Sequence, residues 1–179
     1  SDAGRYWRVG LDGKVGKNFN LGFDYINVKD AWSKGTTAPD MKIKAFKAMY
    51  TADQWKLGAD YILGDSDVEG LNSDVEGLNG AKGKNGYVVM LGVGNAKANK
   101  VGSVGLWANY YNQPAATFIN NTFNAQKYSK KVGFKGYGVG IDYTVAKNMV
   151  AGIQYFDLKD KNDAETKTKT LWSQLVITF

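Results

Sequence analysis

Apolar and polar residues alternate along most of this chain with a period of two, and no stretch sustains a 3.6-residue repeat. Nine segments carry the alternation: 6–15, 19–28, 41–50, 55–64, 86–96, 102–112, 133–145, 149–158 and 168–179. The pattern predicts an all-β fold, because successive side chains of a strand point to opposite faces. The segments run close to the ~9 to 11 residues that a tilted strand needs to cross a bilayer, and about twice the length usual in soluble sandwiches.

The connections alternate as regularly as the residues do. Short ones contain GKN at 16–18, ADQ at 52–54, KANK at 97–100 and AKN at 146–148, and long polar ones lie between them at 29–40, 65–85, 113–132 and 159–167. Tight turns at one end and long loops at the other are the signature of an up-and-down transmembrane barrel. Four segments that follow short turns also align without gaps: FNLGFDYINV, WKLGADYILG, VGLWANYYNQ and MVAGIQYFDL. In each, one row is apolar or aromatic and ends on tyrosine, at Tyr25, Tyr61, Tyr110 and Tyr155. The intervening row is small or polar and carries Asp24, Asp60, Asn109 and Gln154 one residue before that tyrosine.

Two barrels fit such rows. In a soluble barrel the apolar row packs an interior, and tyrosine at a fixed height has no particular purpose. In a membrane barrel the apolar row meets lipid and its ends form aromatic girdles. Phe19, Trp55 and Met149 then mark one boundary, with Tyr25, Tyr61, Tyr110 and Tyr155 at the other; Tyr143 joins the lipid-facing set from the segment Tyr137, Val139, Ile141, Tyr143. Six residues tilted by ~40° give a band of about 15 Å, short of the ~25 Å expected. Lys42, Lys44 and Lys135 fall on the outer surface above that band, where basic groups suit an anionic surface.

Composition removes many alternatives. The 22 glycines, 11 tyrosines and 5 tryptophans beside 2 prolines favour strands and tight turns. Histidine and cysteine are both absent, so a Ser/His nucleophile, thiolate chemistry and the usual zinc ligands are excluded together. We therefore expect no enzyme and no cofactor. The net charge of +6 is spread along the chain without a basic run, which argues against nucleic acid. The opening SDAGRYWRVG has no signal-peptide core, and no run of 18 apolar residues exists for a membrane helix. SDVEGLN at 66–72 repeats unchanged at 73–79, as an exposed loop tip tolerates. Its acidic residues lack the spacing of a 12-residue calcium loop, so no metal site is assigned.

If the apolar row faces lipid, Arg8, Asp12, Lys14, Asp24, Lys47, Lys56, Asp60, Asn109, Asp142 and Gln154 project inward. Mixed charges along a water-filled path suit passive diffusion of small hydrophilic solutes and ions. A narrower barrel of eight to ten strands would fill with such pairs and serve instead as a closed anchor or adhesin.

The closing LWSQLVITF resembles the terminal strand of Gram-negative outer-membrane β-barrels, porins in particular, with Phe179 last and Leu171, Leu175 and Ile177 at alternate positions before it. Ser173 interrupts the apolar row. The long glycine- and lysine-rich strands look most similar to the trimeric porins of diderm Firmicutes, which carry an S-layer-homology domain ahead of the barrel. The resemblance implies an outer-membrane location, contact with lipid and lipopolysaccharide, a homotrimer, and reading of Leu171, Leu175, Ile177 and Phe179 as the signal of the barrel-assembly machinery. In that frame the first and last strands both run toward the short-turn side, although bacterial barrels have an even strand number. Either a strand escapes the pattern or, as we expect, this is the C-terminal part of a larger barrel of about 16 strands, with N-terminal strands missing and one edge of 168–179 left unpaired.

Overall fold

The computed structural model describes residues 5–29, 41–66, 85–117, 133–161 and 167–179. They form nine strands: β1 (Arg5–Val15), β2 (Phe19–Lys29), β3 (Met41–Ala52), β4 (Trp55–Ser66), β5 (Asn85–Gly94), β6 (Val104–Gln113), β7 (Phe134–Ala146), β8 (Met149–Asp160) and β9 (Lys167–Ile177). All pair antiparallel in chain order within one sheet. The duplicated SDVEGLN lies outside the described residues, apart from Ser66 at the end of β4. Among the described residues β1 pairs only with β2 and β9 only with β8, so the sheet is not closed.

Turn chemistry sets where the strands reverse. Gly16 (φ 66°), Asp53 (φ 50°) and Asn148 (φ 63°) occupy the left-handed region in the β1–β2, β3–β4 and β7–β8 turns. Glycine enters that region freely, and Asp and Asn do so more readily than other side chains. The β5–β6 connection is longer than the alternation predicts: β5 stops at Gly94 and β6 starts at Val104. Hydroxyls account for the difference. Ser103 Oγ accepts from the Lys97 amide at 2.8 Å, donates toward the Lys100 carbonyl at 2.7 Å and meets Thr144 Oγ1 at 3.0 Å. Thr144, fully buried, also donates to the Lys97 carbonyl at 3.0 Å, and the Asn148 amide donates to the Ala98 carbonyl at 2.7 Å. Two short turns are thereby clamped together at one end of the sheet.

The sheet curls around one face. Val28, Met41, Ile43, Ile62, Val88, Tyr111, Phe134, Phe156 and Leu158 pack there into one buried cluster drawn from β2 to β8. A 3₁₀ turn, Ala115–Thr117, enters this face from the β6–β7 connection and packs on β4 and β3. Ala116 is fully buried, and a Cβ at Gly64 would collide with its backbone. Glycine at position 64 is what lets the connection sit so close.

The inward glycines follow a rule visible only in the register. Gly10 stands opposite Asp24, Gly22 opposite Asp12 and Lys47, Gly58 opposite Met49 and Met90, Gly140 opposite Trp107 and Gln154, and Gly152 opposite Asp142 and Gln174. Large side chains thus lie down over the bare backbone of the neighbouring strand. An added Cβ at Gly138 would come within 2.6 Å of the Phe156 ring, and one at Gly140 would overlap the Trp107 indole.

Candidate functional site

The inward face carries every residue expected to line it. Cross-strand partners share a face. Asp24 stands between Gly10 and Ala45, Lys47 between Gly22 and Asp60, Asn109 between Met90 and Gly138, Asp142 between Gly105 and Gly152, and Gln154 between Gly140 and Trp172. Arg8, Asp12, Lys14 and Lys56 fall on the same parity of their strands. Phe19, Tyr25, Trp55, Tyr61, Tyr110, Tyr143, Tyr155, Leu171, Leu175 and Ile177 all lie on the opposite face. Phe179 follows the end of β9 and is fully exposed.

Three of the inward residues make a charge knot. Arg8 Nε donates to Asp24 Oδ1 at 2.9 Å and Nη2 reaches the same oxygen at 2.7 Å, while Lys47 Nζ pairs with Asp24 Oδ2. One buried carboxylate therefore answers two cations from strands on either side of it. Asp60 stands opposite Lys47 in the ladder, which adds a second carboxylate to the group. If all four groups are ionised their charges cancel, one cation for each anion. Asn109 belongs to a separate contact, donating to Tyr111 Oη at 3.0 Å.

The four charged residues form one wall of a cavity of about 400 Å³ whose other walls are Ile26, Ile43, Ile62, Tyr111 and Phe134. Those apolar residues were not anticipated as inward. Their signal was present, because in DYINV the inward parity runs from Asp24 to Ile26 and Val28, so the inward row turns apolar beyond the tyrosine just where the outward row turns polar. The inward face is accordingly divided. Its long-loop half is an apolar core with the 3₁₀ turn laid on it, and its short-turn half holds Lys14, Lys56, Asp12 and Asp142.

The outward face is apolar and uncovered. Leu57, Leu91, Ile141, Ile153 and Leu175 are each between 42% and 54% exposed. Rings pair across strands along its margins: Trp7 with Tyr25 at 5.0 Å, Phe19 with Tyr50 at 4.9 Å, and Tyr87 with Tyr110 at 6.2 Å. Beyond the tyrosines the same face turns polar at Asn27, Asn112 and Asp157, and Lys44 stands level with Tyr25, so the band does not extend past that end. No family model matches the chain, and no curated protein matches it.

Proposed function

We propose that the chain forms part of an outer-membrane β-barrel channel through which small hydrophilic solutes and ions diffuse passively. The observation that carries the reading is the division of the middle of the nine-stranded sheet into an uncovered apolar band, edged with paired aromatic rings, and an opposite face that carries the charged group of Arg8, Asp24, Lys47 and Asp60. An apolar surface running across nine strands far exceeds the few hundred Å² that soluble monomers leave exposed. Lipid is the cover that suits it. The free edges of β1 and β9 support further strands in the same barrel, because backbone groups in hydrocarbon must all be paired.

A second reading has its own observation. The apolar core and the 3₁₀ turn occupy the long-loop half of the inward face, which favours a barrel that is filled and serves as an anchor. Recording from planar bilayers separates the two. Steady ion currents whose reversal potential shifts in a salt gradient support the channel; silence across salts and voltages, with the protein shown to be inserted, rejects it in favour of the anchor.

A further inference from the structure

Lys135 on β7 stands opposite Lys159 on β8, and Lys159 stands opposite Lys167 on β9. All three have the outward parity of Tyr137 and Tyr155, so three ammonium groups share one rung of the exposed face. Opposed residues hold their Cβ atoms about 4.5–5.5 Å apart, and like charges at that spacing destabilise a sheet. Among the described residues none of the three is joined to a carboxylate in an ion pair. Asp157, one rung below, reaches Lys169 at 4.0 Å. A fourth cation is close by: Lys161 Nζ donates to Oδ1 of Asn112, the residue opposite Lys135. Burial, and then the charge of Lys135, holds that ammonium below its ordinary value.

The other outward lysines are arranged differently. Lys42 faces Asp65 across the β3–β4 ladder, and Lys44 lies between Tyr25 and Leu63. Only on β7, β8 and β9 do lysines face one another in a row among the described strands. The row's height is also defined. Tyr137 is one rung below it, and the Tyr137 and Tyr155 rings approach to 6.4 Å. Tyrosines at a membrane boundary sit at headgroup level.

We propose that the Lys135, Lys159 and Lys167 rung is a seat for the phosphate of an anionic lipid headgroup, whose acyl chains pass the Tyr137, Asp157 and Lys169 rung, where Asp157 is paired with Lys169, to reach the apolar rows that begin at Val139, Tyr155 and Leu171. A phosphate oxygen set can accept from several ammonium groups at once, which turns a repulsive row into a shared site. The inference rests on the membrane reading, and its test separates the two. Full-length protein in detergent is mixed with phosphatidylglycerol or phosphatidylcholine, and retained lipid is counted by native mass spectrometry. Insertion into phosphatidylcholine vesicles is followed in parallel by protease protection.

Each lysine near an anionic surface contributes about a fivefold preference, so K135Q/K159Q/K167Q is expected to lose about a hundredfold in selectivity for phosphatidylglycerol. Lys159→Glu alone places a carboxylate between two lysines, so it should fold at least as well as the wild type and still lose the lipid. A K42Q/K44Q variant should retain it. Insertion without phosphatidylglycerol preference overturns the site and spares the membrane reading; failure to insert in any lipid overturns both. Equal loss in K42Q/K44Q would mean diffuse attraction and overturn the site. Displacement of the lipid by inorganic phosphate at comparable concentration would overturn the lipid assignment.

Discussion

Asp24 is the residue on which the inward cations Arg8 and Lys47 converge. Its carboxylate is buried, yet its partners Arg8 and Lys47 remain 49% and 37% exposed at the side chain, so the knot lies between a surface pair and a fully buried one. Asp24→Ala should lower stability by about 2 kcal/mol, read from the denaturant midpoint, because it strands two inward cations. In a conducting barrel the same change should shift the reversal potential in a salt gradient toward anions. An unchanged midpoint would mean that water already screens the group. Gly140 tests the glycine rule from the other side. Gly140→Val forces the Trp107 indole off the backbone it covers, and overpacking of that kind costs about 1–3 kcal/mol. Tryptophan emission should move to longer wavelength as the indole is displaced, whereas Gly13→Val, with nothing within 4 Å of its Cβ, should leave both readings alone.

The strands themselves were legible because period-two alternation is a local signal. All nine segments found in the sequence are strands, with ends shifted by a few residues. What local pattern misses is contact between segments distant in sequence. The Ser103–Thr144 clamp shortens β5 and β6 through a pair 41 residues apart, and no alternation encodes it. The inward turn at Ala115–Thr117 is a similar case, since it depends on Gly64 lacking a side chain some fifty residues earlier. The alternation suffices to put the charged row on one face, but not to show that this face is apolar at its other end, because Ile26, Ile43 and Ile62 look like any strand residues until the register pairs them. Gly64→Val should push the 3₁₀ turn away from β4. Limited proteolysis in detergent is expected to cut near 113–117 in the variant and spare the wild type; if neither is cut, the turn is held by more than that contact. The short apolar band is a property of every element together. Outward charges already stand level with tyrosines, Lys44 opposite Tyr25 and Asp157 opposite Tyr137, so insertion should be fuller in vesicles of short-chain phosphatidylcholine than of long-chain, as mismatch requires.

At the scale of the whole molecule the unanswered part of the fold is its pair of edges. β1 is exposed along its full length and β9 from Leu171 onward, the two run in the same direction because nine strands alternate, and among the described residues each has one edge without a partner strand. Two copies turned about the membrane normal would bring β9 of one beside β1 of the other in parallel, which breaks the antiparallel ladder used at all eight existing pairings. An odd number of intervening strands keeps every pairing antiparallel and makes the total even. Hydrogen exchange on the native protein in its membrane addresses this directly. If further strands close the barrel, backbone amides on the free edges of β1 and β9 should exchange as slowly as those in the middle of β4 and β5, since lipid tolerates no open edge. The same amides in the isolated 179-residue chain, held in detergent, should exchange much faster while β2 to β8 stay protected. Rapid exchange at both edges in the membrane would mean that the outward apolar face is covered by something other than lipid, and the channel would have to be given up with it.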